Sequence, residues 1–365
     1  MAEKPVILFE SYPDFNGSAL AVYNELVKRG YDQKYDLVWA VYSDFNLKTD
    51  YKTVKFFNCN SAAKQNIIKR TKCIIDSNRY ISKFSPKVYR LHVRHGCCLK
   101  NTVGYCGNVG SLDSILTTSD EMLALDKKIW PDGIKNKFVV LGMPGTDELF
   151  HPKDISGRIK ELTGVESKFN KVFAWLPTYR DHRFNKVGKN AFTFGLPAIS
   201  TLDEYNAINE TLKKNNALLI IQMHHAQAKN YKPLTKMSNI VFVNEPIKNK
   251  YHVSTMDILG NSDALITDYS SAYHEYVILD RPIALCVEDL VQYAKVHGFF
   301  CNYLDWIKGD YILDNDDLCE WLDNVSRGKD DSASERKLSL NKIHKYKDDK
   351  ATERVVNYLI EEAKL

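Results

Sequence analysis

Short apolar runs recur along the chain, and most neighbours are separated by enough residues for a helix. Pro5 to Glu10 predicts a first strand, and Ala19 to Arg29 a helix stopped at Gly30. Strand-sized runs follow at Leu37 to Val41, Val54 to Phe57, Cys73 to Ile75, Val88 to Val93 and Phe138 to Leu141. The pattern restarts after Gly157 with Val172 to Leu176, Leu218 to Met223, Ile240 to Val243, Ala264 to Thr267 and Ile283 to Val287. Runs separated by helix-compatible segments are the pattern of parallel sheets covered by helices, so the expected fold is α/β with two doubly wound domains. Pro, Gly and Lys gather between Phe150 and Lys171, which is where the junction is expected. Arg327 to Lys350 is densely charged and reads as a solvated helix and loop, while Ala351 to Ala363 regains helical periodicity through Val355, Val356 and Leu359.

Composition adds limits. The 365 residues exceed the ~250–300 at which single cores stop growing, and 44% hydrophobic content supports two of them. A net charge of +4 suits a phosphorylated substrate or an anionic membrane surface but not a coating of nucleic acid. Met1 to Tyr12 lacks a basic stretch followed by a long apolar one, so a cytoplasmic chain with reduced thiols is expected. The eight cysteines show no paired zinc spacing and read as small buried hydrophobes. The longest strongly apolar run, Ala217 to Met223, is far short of the ~20 residues that span a bilayer.

In doubly wound sheets ligands bind beyond the carboxyl ends of the strands, so residues just after each run are the candidates. His95 falls where an apolar run gives way to Gly96, whose missing side chain lets backbone approach a substrate. A histidine, with an ordinary pKa near ~6.5, can accept a proton at neutral pH. Lys171 to Pro177 delivers Thr178, Arg180 and Asp181 at its exit, and the Arg180 fork matches phosphate oxygens. Leu218 to Met223 ends in His224 and His225, which diverge on a strand and make a poor metal pair, so no metal is expected. After Ala264 to Thr267 comes Asp268-Tyr269-Ser270-Ser271 and then a helix-compatible stretch. Ser270 or Ser271 would cap that helix, and the hydroxyls with the first-turn N–H groups suit a phosphate. Asp268 would repel the phosphate if aimed at it and is expected to orient the turn, a histidine or a donor hydroxyl. The chain has no Gly-x-Gly-x-x-Gly after its first strand, no Gly-Lys-Ser/Thr loop and no Gly-x-Ser-x-Gly elbow, so nicotinamide, ATPase and serine-esterase chemistry have no sequence support.

Several of these stretches together resemble the CDP-glycerol glycerophosphotransferase family. His95-Gly96-Cys97-Cys98-Leu99-Lys100 is similar to its His-Gly-x-x-Leu-Lys motif, and Gly142 to Asp147 to its Gly-x-Pro-Arg-x-Asp. Leu176 to Asp181, Asp263 to Ser271, Tyr293 to Phe300 and Lys350 to Val356 match in the same order. The resemblance implies a GT-B architecture of two Rossmann-like domains with an interdomain cleft. It places an acceptor-side domain at 1–155, a CDP-donor domain at 156–345 and a helix at 346–365 crossing back to the first.

It also implies transfer of a polyol phosphate from CDP-glycerol or another CDP-polyol, with release of CMP and no cofactor. The acceptor implied is a teichoic-acid-like or capsule chain, or a lipid-linked saccharide, met at the inner membrane face by a peripheral protein. His95 would be the base, and His224 would lie near the donor phosphates held by Ser270, Ser271 and Arg180. Lys100 and Asp147 come with their motifs. His225 stands where the family has Pro, Gly145 where it has Arg, and Cys97-Cys98 where it has small residues or Pro. Two other readings remain open: glycosyl transfer from a nucleotide sugar, and a nucleotide-binding scaffold without catalysis.

Overall fold

The computed structural model describes residues 3–12, 15–41, 55–58, 64–77, 88–97, 99–101, 112–130, 135, 137–163, 168–178, 194–223 and 236–365. Its first strands are β1 (Val6–Glu10), β2 (Asp36–Val41), β3 (Lys55–Asn58), β4 (Thr71–Asp76), β5 (Tyr89–His92), β6 (Ser114–Thr117) and β7 (Phe138–Val140). Then come β8 (Lys171–Leu176), β9 (Ala217–Gln222), β10 (Ile240–Val243), β11 (Ala264–Thr267), β12 (Ile283–Cys286) and β13 (Asp310–Ile312). Helices are α1 (Gly17–Lys28), α2 (Lys64–Arg70), α3 (Asp120–Ile129), α4 (Ser156–Thr163), α5 (Leu202–Lys214), α6 (Glu245–Tyr251) and α7 (Thr255–Gly260). They continue with α8 (Ala272–Tyr276), α9 (Leu290–His297), α10 (Tyr303–Trp306), α11 (Asn315–Ser326), α12 (Ala333–Ile343) and α13 (Ala351–Ala363).

Two sheets form, ordered β3-β2-β1-β4-β5-β6-β7 and β10-β9-β8-β11-β12-β13. Their pairings are parallel, so both are doubly wound α/β sheets. The chain divides into two compact units. One comprises Met1–Cys97, Thr102–Asp147 and Ile343–Leu365, the other Cys98–Asn101 and Glu148–Lys342.

In the first unit Phe9 stacks on Trp39 at 5.5 Å, and Tyr23 of α1 meets Phe9 edge-on at 5.4 Å. The apolar stripe of α13 (Val355, Val356, Leu359) is buried in the same core. Each such side chain contributes about 1.5–3 kcal/mol, enough to hold a terminal helix whose propensity alone would not. Asp147 fixes where that helix starts, accepting hydrogen bonds from Ala351 N at 3.1 Å and Thr352 N at 2.7 Å. In the second unit Phe173, Trp175, Leu219 and Ile221 pack with Ile208 and Leu212 of α5 and with Leu318, Trp321 and Leu322 of α11. Thr201 and Glu204 form a reciprocal capping box that starts α5.

The structure corrects the pattern reading in three places. β6 and β13 are strands that no apolar run announced, because Ser114-Ile-Leu-Thr117 and Asp310-Tyr-Ile312 are short and half polar. Arg327 to Lys350 is less solvated than its charge suggests. Arg336 is fully buried, bonded to Asp330 at 2.7 and 2.8 Å and to the Asp280 carbonyl at 3.1 Å, and Ile343 and His344 are buried beside it in sequence.

Candidate functional site

Each sheet has a switch point, where successive strands begin to be added on the other side: between β1 and β4 in the first, between β8 and β11 in the second. There the loops part and leave a crevice at the carboxyl ends. The predicted residues that are described fall largely beside these two places.

In the first unit the strand ends meet in register, with Glu10 opposite Asp76. Ser77 N donates to Glu10 O at 3.1 Å, and Val93 N donates to Asp76 O at 2.7 Å, which carries the ladder one residue past β5. The chain then turns at Arg94, a non-glycine residue with φ of 57°. His95 follows, exposed, with Nδ1 3.3 Å from the Ser77 carbonyl oxygen. That contact favours the tautomer in which Nδ1–H donates to the carbonyl and Nε2 carries the lone pair. Gly96 is half-buried, and Cys97 is buried with Sγ 3.6 Å from Thr118 Oγ1.

Beneath this loop lies a buried set of charges. Arg94 Nη1 donates to Asp126 Oδ2 at 2.7 Å, and Thr117 Oγ1 donates to the same oxygen at 2.6 Å. His92 Nδ1 is bonded to Asp76 Oδ1, with Arg90 Nη2 3.7 Å from the other Asp76 oxygen. His92 is buried and meets Trp130 edge-on at 5.5 Å.

In the second unit Asp268 is fully buried, and Thr178 N lies 2.9 and 3.1 Å from its two carboxylate oxygens. Thr267 Oγ1 donates to Leu176 O at 2.8 Å. These bonds tie the end of β11 to the end of β8, so the carboxylate orients the turn. Tyr303 donates its hydroxyl to the Asp268 carbonyl. Tyr269, next to Ser270 in sequence, stacks on Tyr293 at 4.0 Å, donates to Asp289 Oδ1 at 2.7 Å and joins an aromatic cluster with Phe299 and Tyr303. Ser270 Oγ accepts from Ala272 N at 3.3 Å. Ser271 stands at the helix entry with helical dihedrals and makes no side-chain cap bond. Capping is therefore the work of Ser270, and the Ser271 hydroxyl is not used for it. Glu275 lies one turn further along α8, and burial pushes its carboxyl up to about 8.

Lys100 lies in an antiparallel bridge with Phe299, flanked by Asn101 N to Gly298 O and Phe300 N to Leu99 O, both at 3.0 Å. Gly298 has φ 72° and ψ 164°, a region open almost only to glycine, so the turn into this bridge requires it. Asp147 caps α13, and burial raises its carboxyl pKa against the lowering effect of those bonds. Gly145 packs so close to α1 that a Cβ would meet Ser18 N and Oγ at 3.3 Å, a physical reason for a small residue there. Arg180, Asp181, His224 and His225 lie outside the described residues. The buried Arg94–Asp126 and Asp76–His92 pairs, Tyr269 and Tyr303 were missed by sequence reasoning. Asp126 had a signal: it shares the stripe Met122, Leu125 and Ile129, so a polar group there had to be buried and paired.

A model of the CDP-glycerol:poly(glycerophosphate) glycerophosphotransferase family matches residues 1–361. The chain belongs to that family. It is a transferase that moves glycerol phosphate, or a related polyol phosphate, from a CDP-linked donor. It is 26% identical to the teichoic acid glycerol-phosphate primase of Bacillus subtilis over 96% of this chain and 81% of that protein. It is 27% identical to the teichoic acid ribitol-phosphate polymerase TarL of Staphylococcus aureus over 96% of this chain and 61% of that protein. The solved structure of a histidine variant of the wall teichoic acid polymerase TagF superimposes with a TM-score of 0.80 at 19% identity, covering 99% of this chain and 89% of that one. That likeness fits the two Rossmann-like sheets of a GT-B architecture. Among the described residues, none of the helices is long and apolar enough to cross a membrane, and no group of three or more His, Cys, Asp or Glu is placed to hold a metal ion.

Proposed function

We propose that this glycerophosphotransferase attacks the donor's β-phosphorus with an acceptor hydroxyl and that His95 is the general base. The new P–O bond forms as the bond from that phosphorus to the bridging oxygen breaks. CMP leaves with the bonding electron pair, and the hydroxyl proton passes to His95 Nε2. The leaving group is a phosphate, so a strong general acid is unnecessary and stabilisation of the phosphoryl oxygens matters more. Ser270, Ser271, Thr178, Arg180 and His224 are assigned to those oxygens, with Gly96, Asp181 and Asp268 orienting them. The acceptor class is a teichoic-acid-like polyol or a lipid-linked saccharide reached at an anionic membrane face. The primase and polymerase names of the relatives support that class.

The observation that carries this reading is the exposed His95 imidazole with Nδ1 set against the Ser77 carbonyl, which turns Nε2 into the proton acceptor. The test is CMP release by folded His95→Ala, with CDP-glycerol, CDP-ribitol and a UDP-sugar offered in parallel. The expected result is a fall in kcat of about 10²–10⁴-fold with the preferred CDP-polyol. A variant as fast as the parent would remove His95 from the mechanism, and a preference for the UDP-sugar would overturn the donor class.

A further inference from the structure

Arg94 comes immediately before the proposed base and holds a left-handed backbone conformation, φ 57°, that a long side chain adopts only under constraint. The constraint is visible. Its guanidinium is buried and reaches away from His95 in sequence to Asp126 of α3, 2.7 Å from Oδ2. Asp126 is itself fully buried, and Thr117 at the end of β6 donates to the same oxygen at 2.6 Å. On the other side of His95, Cys97 is buried against Thr118. His95 is thus the exposed crest of a loop whose two shoulders are fastened to the end of β6 and to α3.

A buried ion pair is a poor means of gaining stability, because desolvating both charges offsets their attraction. A left-handed arginine adds to that cost. What the combination does provide is direction: the turn at residue 94 decides where the next side chain points.

We infer that Arg94, through its buried pair with Asp126, is a positioning residue for His95. This rests on the reading of His95 as the base and deepens it. The pair holds the crest so that Nδ1 meets the Ser77 carbonyl and Nε2 faces the acceptor hydroxyl. Without the pair the backbone at 94 relaxes from the left-handed well and the imidazole samples other directions. Small misplacements of a reacting group are expensive in rate, so the loss falls on kcat and leaves donor affinity alone.

The decisive variant is Arg94→Met with Asp126→Asn, which neutralises both members of the pair and keeps an acceptor for Thr117. It is measured beside His95→Ala. The expected outcome is a folded enzyme with kcat down by about 10–100-fold and KM for the CDP-polyol nearly unchanged. The His95 ring resonances should be single and sharp in the parent and should broaden or divide in the variant. A folded double variant with parent-like kcat, while His95→Ala is inactive, overturns the inference and spares the base. Parent-like turnover by His95→Ala removes the base and the inference with it. Should the double variant not fold, Thr117→Val removes one donor from Asp126 and leaves both charges. A drop in kcat with shifted His95 resonances then supports the inference, and parent-like values of both overturn it.

Discussion

The two switch points share a strand order but are built from different chemistry. In and just beyond β1, β4 and β5 lie buried acidic and basic side chains: Glu10, Asp76, Arg90, Arg94 and, on α3, Asp126. At the end of β8 and β11 the buried carboxylate of Asp268 accepts from the main chain of Thr178, and the groups proposed to meet the donor are the Ser270 and Ser271 hydroxyls. A proton acceptor needs one imidazole held in one direction, and fixed charges can supply that hold. A pyrophosphate carries its own charge, so a cradle of hydroxyls and N–H groups serves it better than carboxylates.

The largest expected effects break this comparison from each side. His95→Ala should lower kcat by about 10²–10⁴-fold with little change in donor KM. Asp268→Ala should do the reverse kind of damage. Removing a buried acceptor leaves the Thr178 N–H without its hydrogen bonds, costing about 1–3 kcal/mol of stability, and the slackened turn raises KM for the donor. Urea unfolding with parallel kinetics checks both. If Asp268→Ala lowers kcat alone, the division of labour between the two sheets is wrong.

A smaller pair of changes sharpens the second side. Ser270→Ala removes the acceptor for Ala272 N and should cost about 0.5–2 kcal/mol, as a lost cap does. Ser271→Ala removes a hydroxyl that caps nothing. It should leave stability within about 0.5 kcal/mol and raise donor KM roughly tenfold, the equivalent of about 1.4 kcal/mol. Equal effects of the two substitutions on KM would show that the serines are not distinguished in this way.

Much of this was legible in the chain because strands covered on both faces read as apolar runs, and the runs locate the strand ends where chemistry gathers. Thr178, Asp268 and the serines stand at such ends, and His95 three residues past one. What could not be read was pairing at a distance. Arg94 and Asp126 are 32 residues apart and Asp268 and Thr178 are 90 apart, and only the sheet order brings them together. A left-handed arginine also leaves no trace in composition. β6 and β13 escaped because four or three residues, half of them polar, do not rise above a loop.

The last prediction tests whether negative charge is kept off the helix face that carries Ser271. Glu275 follows Ser271 by four residues, one turn along α8, so an ionised carboxylate there would sit on the serine's face of the helix. Burial pushes its carboxyl from an ordinary 4.5 up to about 8, so it is largely neutral at pH 7. Between those two values the native protein keeps a proton that the unfolded chain has released. Stability contributed by this group therefore falls as pH rises through the window and levels off above about 8. Glu275→Gln removes the penalty, so its melting temperature should exceed the parent's at pH 8 and match it near pH 4. A melting-temperature difference that does not change with pH would mean that Glu275 is already ionised in the native state. The hydroxyl cradle would then have a negative charge beside it, and the contrast with the first sheet would fail at the place where it is drawn most sharply.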